Sequence, residues 1–418
     1  AGFDVLDIIN EPTAAAIAFG FQQGFLQSDG AATGSPRKIL VYDLGGGTFD
    51  VTVMEINGAD FNALAPDGDV QIGGRDWDER LVDYVAEEFI RRFGVDPREE
   101  PNTHGRLWRE SEDAKRTLSA RTRASIACDY KGHALRVEVT REKFEEITKD
   151  LLDRTNFTTR QTLQAAGLEW DDLDRVLLVG GSTRMPAVVE MLRKLIGREP
   201  DRSVSPDEAV AHGAALRAGL LLAQARGERP TFRIRNVNSH SLGVVGTDAK
   251  TKRQRNAVLI PRNTPLPTAR KRIFKTQKAG QKSILVQIVE GESSSPDDCV
   301  QIGKCSVRHL PPNLPAQTPI EVIFRYEENG RLTVIVRVQG TNTQLEHEIT
   351  RENSLTREQL DSWRKYISGL GPIEIRDSGY IPAATQDFTE EIAGGGDNDT
   401  DESGRPRWTE ALEDSASG

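Results

Sequence analysis

The sequence predicts an α/β unit followed by an all-β unit, then a short helix and an acidic tail without fixed structure. Three observations carry that reading. Up to residue 226, short apolar runs that stop at glycines alternate with helix-period segments, the pattern of an α/β domain. Beyond Gly227-Glu-Arg-Pro230 the hydrophobic period shifts to two. From Gly394 to Gly418 the chain is rich in Gly, Ser and Asp, with too little apolar surface to offset the entropy of ordering it.

Taken in order, Ile39-Leu-Val-Tyr-Asp43 and Val176-Leu-Leu-Val179 are buried-strand runs, each ending at glycines. Thr140 is placed to cap one helix that carries Phe144, Ile147 and Leu151 on a face and ends near Gly167. Ser205-Pro-Asp-Glu208 has the form of a capping box with proline at the first helical position, opening a helix through Leu222. These elements make up a first domain, residues 1–226, and a linker follows at 227–240. In the second domain, 241–350, Ile284, Val286 and Ile288 share one strand face. Ile320, Val322, Phe324 and Tyr326 alternate likewise, and Asn329-Gly330 turns the chain back into Leu332, Val334, Val336 and Val338. Residues 351–370 leave room for one helix, Thr356 to Ile367, and 371–418 form the tail.

Composition narrows the function. The 418 residues carry a net charge of −10, yet residues 231–350 hold 18 Lys and Arg against 10 acids, and 371–418 hold 3 Arg against 12 acids. The basic runs Lys250-Thr-Lys-Arg-Gln-Arg255 and Arg270-Lys-Arg272 read as solvated loop charge, and nucleic acid is not expected as a partner. No apolar run approaches the roughly 18–20 residues of a membrane span. Cys128, Cys299 and Cys305 are odd in number and lack metal-ligand spacing, which fits a reducing compartment, and Cys128 reads as a small buried apolar residue.

The most informative segment is Asp43-Leu-Gly-Gly-Gly-Thr-Phe-Asp50, directly after a strand. Gly45, Gly46 and Gly47 let the backbone turn tightly and bring N–H groups against phosphate oxygens. Thr48 can donate its hydroxyl to a terminal phosphate, Asp43 can hold Mg²⁺ through water, and Asp50 is placed to orient a nucleophilic water. Taken alone, a glycine-rich hairpin with acids at its ends reads the same way. A second strand–glycine–helix start, Val179-Gly-Gly-Ser-Thr-Arg-Met-Pro186, offers helix N–H groups to a nucleotide from another side. Glu112, Lys115, Arg116 and Ser119 fall at i, i+3, i+4 and i+7 on one helix face, either a ligand wall or a solvated salt-bridge face.

Together with Asn10-Glu-Pro-Thr-Ala-Ala-Ala16, Gly73-Gly-Arg-Asp-Trp-Asp78, Ala114-Lys-Arg-Thr-Leu-Ser119, Pro206-Asp-Glu-Ala-Val210, Ser241-Leu-Gly243, Asn263-Thr-Pro-Leu-Pro267 and Val289-Glu-Gly-Glu292, these segments resemble the heat-shock protein 70 (DnaK-type) chaperones in order and spacing over residues 1–350. The resemblance implies a partial actin-like ATPase domain, a linker, and a β-sandwich that binds extended peptides. It implies catalytic roles for Glu11, Asp43, Thr48 and Asp50, with Mg²⁺ at Asp43. It also implies ATP or ADP held by Gly45, Gly46, Gly47, Glu112, Lys115, Arg116, Ser119, Gly180, Gly181, Ser182, Arg184 and Asp207. Around a peptide pocket it places Val244, Phe274, Ile284 and Val286, which by periodicity alone are ordinary sandwich core. The expected partners are unfolded polypeptides, a J-domain co-chaperone and a nucleotide exchange factor, in the cytoplasm and away from membranes.

Departures from the family set further expectations. The family's long first lobe, with its own glycine loop and phosphate-reaching lysine, has no counterpart before Asn10, so weak or absent ATP hydrolysis is expected of the chain alone. Arg75 stands where the family has an acid. The linker stretch Phe232-Arg-Ile-Arg-Asn236 carries charge where the family docks leucines, so poor docking and altered coupling are expected. Gln277 and Thr247 replace apolar groups over the peptide, and the helical lid is nearly absent. The principal reading is an ATP-dependent folding chaperone; the alternative is a lidless scaffold that binds peptide without cycling.

Overall fold

The computed structural model describes residues 5–25, 35–248, 251–308, 310–328, 330–341, 343–349, 365 and 392–394. The chain divides into two compact units, Asp4–Ser239 and one that runs from His240 onward.

The first unit is built on a five-stranded sheet in the order β6-β1-β2-β3-β7. Strands β1 (Arg37–Leu44), β2 (Phe49–Asn57) and β3 (Asp60–Asp69) form an antiparallel meander, and β6 (Arg175–Val179) lies parallel to β1. The run Ile39–Leu44 is apolar at nearly every position because both sheet faces are covered. Ile39 and Val41 point into a cluster with Phe19, Phe61 and Leu177 under α1 (Glu11–Gln22) and α7 (Ala209–Ala225). Leu40 and Tyr42 point the other way, into a larger core filled by α2 (Gly74–Phe93), α3 (Pro101–Ala120), α5 (Lys149–Ala165) and α6 (Pro186–Ile196). The hairpin of β4 (Arg123–Tyr130) and β5 (His133–Thr140) adds Ala124, Ile126 and Cys128 to that core, with Cys128 only 3% exposed.

α1 and α7 lie unusually close. A Cβ on Gly213 of α7 would sit 1.8 Å from the Ala14 carbonyl oxygen, so only glycine allows this approach. Ala14, Ala15 and Ala16 on the facing helix are fully buried, and alanine serves here both as the best helix former and as the smallest spacer.

Two helix boundaries differ from those expected. The segment after Thr140 is two helices, α4 (Arg141–Ile147) and α5, broken at Thr148, whose hydroxyl donates to the Phe144 carbonyl and competes with the continuing ladder. Thr140 does cap the first of them, accepting from the Lys143 N–H. Ser205–Glu208 forms a turn before α7, which begins at Ala209; the Ser205 carbonyl accepts from the N–H groups of Glu208 and Ala209.

The linker stretch also departs from expectation. Arg233–Arg235 is β7, an edge strand parallel to Asp60–Asn62 of β3. The charges are not buried, because strand alternation sends Arg233 and Arg235 outward while Phe232 packs edge-on against Phe61 and Ile234 joins the same cluster. The Thr13 hydroxyl donates to Asn236 Oδ1 and ties the strand's end to α1.

The second unit is all β. β9 (Gln254–Ile260), β8 (Leu242–Asp248), β11 (Ser283–Glu290) and β12 (Val300–Arg308) form one antiparallel run; β10 (Thr268–Thr276), β13 (Pro319–Tyr326), β14 (Leu332–Val338) and β15 (Gln344–Glu348) form another. The three-residue β16 (Ile392–Gly394) joins them, parallel to β8 and antiparallel to β10. The hairpin read at Gly330 is present, with Tyr326 opposite Leu332. The expected helix at 356–367 lies outside the described residues except for Lys365, and the tail lies outside them except for β16.

Candidate functional site

The two glycine loops and the Gly73-Gly74 pair meet at one end of the sheet in the first unit. Asp43 and Asp50 are directly opposite each other in the β1–β2 register, and the turn between them closes through Gly45 N–H donating to the Thr48 carbonyl at 3.0 Å. Gly46, Gly47 and Thr48 are exposed at its tip.

Gly73 caps α2 in extended backbone, and a Cβ there would lie 2.4 Å from Gly47 Cα. The N–H groups of Gly74 and Arg75 donate to the carbonyls of Gly45 and Gly46, each at 2.9 Å. The loop's carbonyls are thereby turned toward α2, away from any ligand at its tip. From the other side, Ser182 Oγ donates to the Gly45 carbonyl at 3.0 Å. Gly180 has φ +82°, and a Cβ on it would meet the Leu44 carbonyl oxygen at 2.3 Å and Asp43 Oδ1 at 2.8 Å. Both the positive φ and the crowding demand glycine at Gly180.

Asp43 is 4% exposed, and among the described residues its Oδ2 has no hydrogen-bond partner. Burial, with the charges of Glu11 and Asp50 added, pushes its carboxyl up to about 7. Asp50 is also raised, mainly by burial and by Glu11, against a lowering hydrogen bond from Thr48. Glu11 is the first residue of α1, on the exposed side. The negative charge of Glu11 is thus felt at both buried carboxyls, although among the described residues no group of three or more His, Cys, Asp and Glu side chains is arranged to hold a metal ion directly.

α3 supplies the wall. Lys115 Nζ donates to the Gly74 carbonyl at 2.7 Å and to Asp78 Oδ2 at 2.8 Å. Asp78 is buried, its carboxyl raised by that burial and pulled back by Lys115, and among the described residues its Oδ1 has no hydrogen-bond partner. Arg116 pairs with Glu112 at 2.6 Å on the solvent side, and Ser119 Oγ donates to the Lys115 carbonyl. Arg184 pairs with Asp207, which lies 3.3 Å from where a Gly181 Cβ would stand.

The structure therefore gathers Glu11, Asp43, Thr48, Asp50, the three loop glycines, Lys115, Gly180, Gly181 and Ser182 into one cluster at an end of the sheet. Arg184 and Asp207 pair at the edge of that cluster, beside Gly181. Gly74 and Asp78 belong to it as well, although the sequence marked them only within a motif. The signal for Asp78 was its place one helical turn after the glycine pair. In the other unit, Val244, Phe274, Ile284 and Val286 are all fully buried within the apolar cluster that also holds Val322 and Phe324.

A family model described as Hsp70 protein matches residues 1–377. A protein of Arabidopsis thaliana, "Heat shock 70 kDa protein 7, chloroplastic", is 38% identical over 369 residues, which cover 87% of this chain and 49% of the relative. The chain thus spans about half the length of that relative. The chloroplast location of that relative overturns the cytoplasmic expectation; free cysteines fit a reducing environment and do not specify a compartment. Among the described residues, no helix is long and apolar enough to cross a membrane.

Proposed function

Because the chain belongs to the Hsp70 family, we propose that it is the nucleotide- and peptide-binding part of an ATP-dependent chaperone for unfolded polypeptides. The observation that carries the nucleotide reading is the packing of Gly73-Gly74 and Gly180 against the Asp43–Gly47 loop, beside the buried Asp43. A side chain at any of three of these glycines, Gly73, Gly74 or Gly180, would collide with the site's own atoms.

In this reading the N–H groups of Gly46 and Gly47 and the Thr48 hydroxyl hold the terminal phosphates, and Asp43 holds Mg²⁺ through water. Bound Mg²⁺ neutralises phosphate charge and lowers the barrier to phosphoryl transfer. Glu11 and Asp50 orient the attacking water by accepting its hydrogen bonds. Glu112, Lys115, Arg116 and Ser119 receive the nucleoside on one side, with Gly180, Gly181, Ser182, Arg184 and Asp207 on the other. Lys115 is pre-positioned by Asp78, which holds its ammonium beside Gly74.

The all-β unit is read as the two-layer peptide-binding sandwich. Support comes from β16, an extended segment of the chain itself that pairs by main chain with both β8 and β10. Val244, Phe274, Ile284 and Val286 then form the apolar floor beneath such a segment. Unfolded segments of other proteins are the proposed clients, with a J-domain protein and an exchange factor as partners.

Calorimetric titration of the chain with Mg-ADP tests the nucleotide reading: wild type binds, and Asp43→Ala loses the Mg²⁺ dependence. Absence of any binding by wild type overturns it. Anisotropy of a labelled apolar peptide tests the sandwich in the same preparation.

A further inference from the structure

Most of the cations around this site have acidic partners. Lys115 is held by Asp78, Arg116 by Glu112 and Asp113, and Arg184 by Asp207. Arg75 is different. Its backbone N–H donates to the Gly46 carbonyl at 2.9 Å, so its main chain is one hydrogen bond from the phosphate loop. Its side chain is exposed, and among the described residues its guanidinium makes no ion pair or hydrogen bond. The group rests over the ring of Trp108 on α3, 5.6 Å from the centroid. Trp108 is braced in turn by the edge of His104, at 6.2 Å between ring centroids.

We propose that Arg75 is a phosphate-contacting residue of the nucleotide site, parked on Trp108 until a nucleoside diphosphate arrives. The inference rests on the nucleotide reading above and adds a binding residue to it. A face-stacked arginine keeps its full charge and all five donors, because the ring interaction engages the π face of the guanidinium and leaves its N–H edge open. That edge matches a phosphate in a two-pronged geometry that a lysine or a lone N–H does not offer. The parked position lies between the phosphate loop and α3, so a swing about the side-chain torsions brings the cation onto the diphosphate without moving the backbone. This chain carries a cation at that position, where the resembling family has an acid.

The experiment compares ADP and adenosine binding to wild type, Arg75→Ala and Arg75→Lys, each titrated at low and high KCl. Arg75→Ala is expected to weaken ADP about tenfold, flatten its salt dependence and leave adenosine unchanged, with Arg75→Lys in between. ADP should also change the tryptophan emission of wild type, and Trp108→Phe or Arg75→Ala should remove that change. Equal weakening of ADP and adenosine would mean that Arg75 only shapes the wall, and no change in either would mean a solvated charge; both outcomes overturn the proposal. A wild-type chain that binds neither ligand removes the nucleotide reading itself, and the proposal with it.

Discussion

At the scale of single residues, the most consequential is Asp43. Its folded carboxyl stands near 7, far above its ordinary value of 3.8. An unfolded chain therefore gives up this proton first, so the residue costs stability as pH rises from about 4 through 7. Asp43→Asn should raise the melting temperature at pH 8 and leave it unchanged near pH 4, which a pair of thermal melts would check. The same carboxylate must be ionised to hold a cation, so Mg²⁺ affinity should tighten roughly fivefold between pH 6 and pH 7. A flat Mg²⁺ titration across that interval would place the cation elsewhere. Gly73→Ala is the steric counterpart: its methyl would press on Gly47 Cα, costing about 1–3 kcal/mol by overpacking and loosening ADP by deforming the loop. Denaturant melts and ADP titration of that variant report the two effects separately.

At the scale of elements, the edge strand β7 shows how alternation outweighs net charge. Phe232 is 4% exposed against Phe61, while Arg233 faces solvent and comes within 3.9 Å of Asp60. Phe232→Ala should cost roughly 3 kcal/mol, and Arg235→Ala less than about 0.5 kcal/mol; hydrogen exchange along β3 would show the edge opening in the first variant only. The charges of this stretch were plain in the sequence, but their faces were not, since three residues are too few for a period to declare itself. β1 and β6 were legible because burial on both faces leaves an unbroken apolar run. The break at Thr148 was not, because a threonine hydroxyl turning onto Phe144 looks in sequence like any helix-interior threonine. Around the site, the closeness of Asp43, Asp50 and the loop glycines follows from their spacing on one hairpin, which by itself does not separate a phosphate loop from a glycine-rich turn. The Asp78–Lys115 contact joins residues 37 apart and exists only once α2 and α3 pack.

At the scale of the whole molecule, two compact units with separate cores imply two unfolding events. Calorimetry should resolve two transitions, of which Mg-ADP shifts only the one belonging to Asp4–Ser239. At a hundredfold excess over its dissociation constant the ligand adds about 2.7 kcal/mol to that unit. A single transition moving as one would show the units to be thermodynamically fused.

The near-touching of α1 and α7 has a mechanical side. Glu11 stands at the head of a rod clamped by Gly213, with no slack for α1 to slide or roll on its own. α7 starts from the turn whose Pro206 carbonyl accepts from the Gly180 N–H. One stiff bracket therefore carries a carboxylate at one corner and the Gly180 loop at another. Aligning either aligns both, and the tolerance of that alignment is set by a missing methyl group.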